Sequence, residues 1–217
     1  KMFFKKYIIT TYPVILNEAF WSLGQVMYSI AYARIGEEAT AAIQVATTIQ
    51  NIFFVIVRGL ANACTIMIGN KIGAGKEHEA YDYAIQFLVM SALSGLVLGT
   101  MQSITPDITL GLFRDLDPGV HVLARKVLRI LGLTFIIKMS NSTAIVGVLR
   151  GGGDTSFSMK LDMAAVWLVG VPLAFLGALV FKMPVHYVVA LVSVEELVKI
   201  SIALPRIKSK KWIKNVT

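Results

Sequence analysis

The sequence predicts an all-α membrane protein with six transmembrane helices, and three observations predict it. Apolar stretches of about 20 residues, the length that crosses a bilayer core, recur six times, roughly at 8–35, 39–69, 84–104, 127–149, 161–181 and 186–204. Hydrophobic residues make up 56% of the 217 and mean hydropathy is +0.69, above the usage of soluble domains. The breaks between stretches carry turn residues: Gly36-Glu37-Glu38, Gly73-Ala74-Gly75-Lys76, Asp115-Leu116-Asp117-Pro118-Gly119, Gly151-Gly152-Gly153-Asp154-Thr155 and Lys182-Met183-Pro184.

Each span follows from its residues. The first two exceed what a bilayer requires, so they tilt or extend beyond the hydrocarbon. Pro13 falls in the first turns of the first span, where a missing N–H costs little, or else bends its start. The second span ends at Gly69-Asn70-Lys71-Ile72-Gly73-Ala74-Gly75-Lys76, which lacks the Gly-Lys-Ser/Thr ending and preceding strand of a phosphate loop. It reads as a helix-ending turn. Arg150 to Thr155 is glycine-rich, again without a strand before it, and reads as a flexible interhelical connection. Residues 205–217 form a basic tail.

Composition excludes several classes. The single cysteine, Cys64, rules out an intrachain disulfide framework or a CxxC metal site. His78, His121 and His186 are scattered, so no zinc site is expected. No Gly-x-Ser-x-Gly elbow or HExxH motif is present, so no enzyme and no cofactor are predicted. The net charge of +8 sits mainly at span ends, where anionic lipid headgroups, not nucleic acid, are the partner. With even-numbered spans returning the chain, twelve basic residues fall on the side of the termini. Six fall opposite: Arg34, Arg114, Arg125, Lys126, Arg129 and Lys182. The positive-inside rule then puts both termini in the cytoplasm. Lys5-Lys6 precede a run too long for a signal peptide, and the opening Lys1 reads as the start of a piece of something longer.

Charge inside the spans singles out the interior. Glu18, Ser22, Gln25, Ser29 and Tyr32 fall on one helical face, flanked by Trp21 and Tyr28. A carboxylate beside aromatic rings suits organic cations. On the second span Gln44, Thr48, Asn51, Arg58, Asn62 and Thr65 share a face, and the fourth contributes Lys138, Asn141 and Ser142. If the first two spans form a hairpin, Glu18 and Arg58 lie at equal depth, with Lys138 in the same layer, and a charge pair or triad is expected there. The uncharged members also suit plain helix–helix hydrogen bonding. Glu195, Glu196 and Lys199 suit a proton path, but their spacing more often means a local ion pair on a protein-facing side.

Pro13 to Gly36, with Glu18 a few residues after the proline, resembles the seventh helix of multidrug and toxic compound extrusion (MATE) transporters. Gly69 to Gly75 followed by Ala80 is similar to the loop after that family's eighth helix. Val148-Leu149-Arg150-Gly151-Gly152-Gly153-Asp154-Thr155 is similar to the end of its tenth helix. Arg206 to Asn215, with Lys211-Trp212 inside, resembles its C-terminal tail. The resemblance implies that residues 1–217 are the C-terminal six-helix lobe, one half of a twelve-helix antiporter, with an N-terminal lobe as partner. It implies export of organic, often cationic, drugs or toxic compounds in exchange for protons or sodium ions across a bacterial inner membrane. Glu18 matches the family's coupling carboxylate, with a sodium ion at Glu18 as one option. One departure stands out: where one branch carries an aspartate on the tenth helix, this chain has Met139 beside Lys138.

The expected cavity lining is Trp21, Ser22, Gln25, Tyr28, Ser29, Gln44, Asn51, Arg58, Asn62, Lys138 and Asn141. Two other readings stay open: a lipid-linked oligosaccharide flippase that grips pyrophosphate with Arg58 and Lys138, and a non-transporting membrane scaffold.

Overall fold

The computed structural model describes residues 2–113 and 116–214. Lys1, Arg114, Asp115 and residues 215–217 lie outside the described residues, as do the side chains of Lys5 and Lys6. All regular structure among the described residues is helical. Three long helices come first: α1 (Met2–Ala33), α2 (Glu37–Gly73) and α3 (Glu77–Ile104). A short α4 (Pro106–Leu110) follows, then α5 (Pro118–Leu133) and α6 (Phe135–Ser142), which continues as a π-helical stretch, Thr143–Arg150. Next comes α7 (Thr155–Ala165), extended through π-helical Val166–Gly170, α8 (Val171–Phe175) and π-helical Leu176–Val180. The chain closes with α9 (Val185–Val192) and α10 (Val194–Lys208). Glu37–Gly73, Glu77–Ile104 and Thr155–Val180 are each long and apolar enough to cross a membrane.

Local chemistry sets the boundaries. Glu37 and Glu38 open α2 and Lys71 sits in its last turn, matching the helix dipole at both ends. Gly75, at φ 73°, supplies the left-handed residue that turns the chain into α3. Asp117 caps α5 by accepting a 2.8 Å bond from the Gly119 N–H, with Pro118 in the first helical position. These caps start α5 well before the expected residue 127. Thr155 likewise starts α7 ahead of residue 161, and α10 runs on to Lys208, so the first part of the tail is helical. Pro13 is not in the first turns: it lies inside α1, which begins at Met2.

Close packing rests on small residues. On α3, a Cβ added at Gly95 would sit 2.9 Å from the Ile136 Cα, and one at Gly99 3.1 Å from the Phe135 Cβ. Gly147 and Gly151 do the same against α2, where a Cβ would meet Cys64 and Thr65 at 2.9 Å. Helices in lipid gain little from the hydrophobic effect, so such close backbone approach supplies their packing energy. Leu133, Leu168 and Val55, each at least 70% exposed, belong to an outward apolar surface that suits lipid.

The two ends of the bundle are distinct. At one end, Lys210 sits over the Tyr81 ring and the Lys214 N–H donates to the Gly152 carbonyl, joining the tail, the first part of α3 and the Gly151–Asp154 turn. At the other end Glu38 lies beside Gly119. Gly99→Val is expected to destabilise the bundle by about 1–3 kcal/mol through overpacking, read as a lower unfolding temperature in detergent, whereas Leu133→Val on the exposed face should change little.

Candidate functional site

A cleft opens between α1, α2, α6 and α10. One part encloses about 490 Å³ and an adjoining part about 410 Å³, and they share Trp21, Gln25, Asn51 and Lys138 among their walls. Glu18, Arg58 and Asn141 line only the first; Tyr28, Ser29 and Gln44 only the second. Ser22 and Asn62, expected on this surface, line neither.

Charge dominates the walls. Glu18, Asp162, Glu195 and Glu196 stand against Arg58, Lys138, Arg150 and Lys199. With all of them ionised the cleft is neutral in sum.

The expected triad of Glu18, Arg58 and Lys138 does not form. Glu18 pairs instead with Arg150, whose Nη1 lies 2.9 Å from Oε1. Lys138 points its ammonium at Gln50 Oε1, 3.4 Å away, and over the Phe54 ring. Arg58 is exposed and makes no ion pair among the described residues. Depth counted along the helices put these three in one layer, but depth does not say which cation reaches the carboxylate. Arg150 does; the sequence places it in the glycine-rich connection, whereas the helix runs on through it. At about 3.6 residues per turn, Asn141 and Arg150 fall on opposite sides of an α-helix. The intervening Thr143–Arg150 is π-helical, and its wider turns lag the α-helical phase, which brings both side chains to the cleft.

A second network lies deeper. Lys199 on α10 is 4% exposed, and its ammonium lies 2.7 Å from Asp162 Oδ1 of α7 and 2.5 Å from Glu195 Oε1 one turn back. Asn17 of α1 donates to Asp162 Oδ2 at 3.0 Å, and the Tyr28 hydroxyl of α1 donates to Glu195. Gly170 makes room for that last contact, because a Cβ there would collide with both the Tyr28 hydroxyl and Glu195. Asn141 of α6 donates to Glu196 Oε2 at 2.8 Å. The local Lys199–Glu195 pair expected from spacing is present, but it is the core of a three-helix network. Asp162 and Asn17 had escaped notice. Asp162 lies just inside the apolar stretch that begins at 161, and a carboxylate there was the available signal.

The Gly151–Asp154 connection is also not the flexible linker expected. Asp154 is 1% exposed and carries two cations, Arg206 at 2.8 Å and Lys214 at 2.5 Å. Among the described residues no group of His, Cys, Asp and Glu is arranged to hold a metal ion, and Met139 is buried in the core.

Long apolar helices around a charged cleft are the architecture of a membrane protein with a polar interior. The chain belongs to the MatE family, which matches residues 13–176. That is a family of integral-membrane multidrug efflux transporters, not of enzymes. A "Probable multidrug resistance protein NorM" of Pseudomonas aeruginosa is 33% identical over 66% of this chain and 30% of its own length. The same-named protein of Thermotoga maritima is 22% identical over 82% of this chain and 38% of its own. The fold is that of a multidrug resistance MATE family transporter solved in an outward-facing conformation, with a TM-score of 0.85 at 18% identity over 92% of this chain and 44% of that one. The chain thus spans less than half the length of the relatives it matches.

Removing one member of a buried ion network strands its partners. Lys199→Met is expected to cost on the order of 3–5 kcal/mol, measured by thermal unfolding in detergent. Neutralising the set together, as Asp162→Asn/Glu195→Gln/Lys199→Met, should recover much of that loss.

Proposed function

We propose that this chain is the C-terminal six-helix lobe of a twelve-helix antiporter, exporting organic, often cationic, drugs or toxic compounds in exchange for protons or sodium ions. In this reading the jointed stretches α5–α6, α7–α8 and α9–α10 cross the membrane along with α1, α2 and α3. Both termini face the cytoplasm, and the second lobe rocks against the cleft to give alternating access. The observation that carries the reading is Glu18: a carboxylate on a membrane helix, exposed in the cleft beside Trp21 and held from one side by a single cation, Arg150.

The chemistry follows from the neutral total. An arriving organic cation competes with Arg150 for Glu18, while a proton or sodium ion at Glu18 removes the charge that attracts it. Exchange needs only that Glu18 differ in charge between the two loaded states, because a ligand shifts a conformational equilibrium solely through differential affinity. Aromatic faces at Trp21 and Phe54 add cation–π attraction.

A second reading rests on a specific imbalance. Arg58 and Lys138 face the cleft without a carboxylate partner among the described residues, which suits an anionic group such as a lipid-linked pyrophosphate.

Glu18→Gln in the complete transporter is expected to abolish proton- or sodium-driven efflux of ethidium from proteoliposomes while leaving the unfolding temperature unchanged. Glu18→Asp should keep part of it. If Glu18→Gln pumps as the parent does, Glu18 is a structural carboxylate and the coupling site lies in the other lobe. If Arg58→Gln and Lys138→Met alone abolish substrate binding, the anionic reading stands.

Orientation has its own test. With Cys64 replaced by Ala, a cysteine at Glu38 should react with an impermeant maleimide on intact cells. Cysteines at Gly75 or Ser209 should react only after permeabilisation, and the reverse pattern would invert the topology.

A further inference from the structure

The Arg150 guanidinium that meets Glu18 sits at the last residue of a helix whose very next residues are gripped by the tail. Gly152 and Gly153 turn back at once: their N–H groups donate to the Val148 and Arg150 carbonyls at 2.8 and 3.0 Å, with Gly153 at φ 87°. Trp212 closes over this turn. It is fully buried, its indole N–H donates to the Ile207 carbonyl at 2.9 Å, and its ring lies where any Cβ on Gly152 would be. The Lys214 N–H donates to the Gly152 carbonyl at 2.8 Å. Asp154 completes the grip, with Arg206 on one carboxylate oxygen and Lys214 on the other. Nothing in the cleft's own chemistry accounts for so much bonding at one turn.

We propose that the carboxy-terminal segment Arg206–Lys214 is a positioning element for the cleft: by clamping Gly152 and Asp154, with Trp212 as the keystone, it fixes Arg150 beside Glu18. Trp212 and Asp154 touch nothing in the cleft, so they are positioning residues that act through Arg150. The turn they hold directly follows a π-helical stretch, whose wide turns set the rotational phase of its last residue. Releasing the turn lets that stretch rewind toward α-helical phase and swings Arg150 away from the cleft. The chemistry that decides whether Glu18 is paired or open to a ligand is therefore set from a segment that lines no part of the cleft. This inference rests on the reading of Glu18 as a cleft carboxylate, but its test does not require transport.

The test reads the charge at position 18. In the complete transporter with Cys64→Ala, Glu18→Cys places a thiol beside Arg150. Its reaction rates are compared for an anionic methanethiosulfonate bearing a sulfonate and a cationic one bearing a trimethylammonium. A neighbouring guanidinium favours the anionic reagent, and Arg150→Gln calibrates the effect, with an expected fall in the anion-to-cation rate ratio on the order of tenfold, the effect of one nearby charge. Trp212→Ala is expected to lower the ratio to the Arg150→Gln value, Asp154→Asn to lower it part of the way, and Trp212→Phe, which refills the space over Gly152, to restore it. A Trp212→Ala ratio equal to the parent's, with Arg150→Gln lowering it, overturns the proposal. So does an Arg150→Gln ratio that does not fall. If Trp212→Ala fails to insert, Asp154→Asn decides by the same criterion.

Discussion

An ammonium held between two carboxylates deep in a membrane bundle constrains everything packed around it. Lys199 has almost no contact with solvent and reaches Asp162 and Glu195 at ion-pair distance. Desolvating such groups is expensive, and the expense is offset only when every lone pair and proton finds a partner. The partners come from other helices: Asn17 and Tyr28 from α1, Asp162 from α7. Helices α1, α7 and α10 are thereby fixed in register and rotation, and the face of α1 carrying Glu18 and Trp21 is turned to the cleft.

Small residues make that geometry possible. Gly170 leaves the space in which Tyr28 meets Glu195. Gly147 and Gly151 let the helix bearing Arg150 lie directly on α2 at Cys64 and Thr65, where the Thr65 hydroxyl donates to the Val146 carbonyl at 2.9 Å. A side chain larger than hydrogen at these points would push the walls apart and lengthen the reach from Arg150 to Glu18. Polar function and apolar packing are therefore coupled in this bundle, because the charged groups occupy positions that only close backbone contact allows.

The cleft holds as many cations as carboxylates, unlike a simple negative trap for cations. Internal pairing makes each carboxylate's availability depend on where its cation sits. Glu18 is the most open of the paired carboxylates lining the first cavity, its side chain 58% exposed against 12% for Asp162.

Length, hydropathy and turn residues determined the helical class and the presence of charge within apolar helices, because bilayer thickness and backbone hydrogen bonding leave a helix few alternatives. The face that joins Glu18 to Gln25 was legible too, since α1 is a regular α-helix and periodicity carries over intact. What the tertiary structure alone decided was pairing. Glu18 meets Arg150 rather than Arg58 or Lys138 because a π-helical stretch shifts the phase of Arg150, a winding that α-helical spacing does not anticipate. Asp162 and Lys199, far apart along the chain, meet because two helices cross there, and no local spacing encodes a crossing. Trp212 and Asp154, which read as tail and loop, become buried because the tail folds back on the glycine turn, a contact set by the shape of both rather than by the sequence of either.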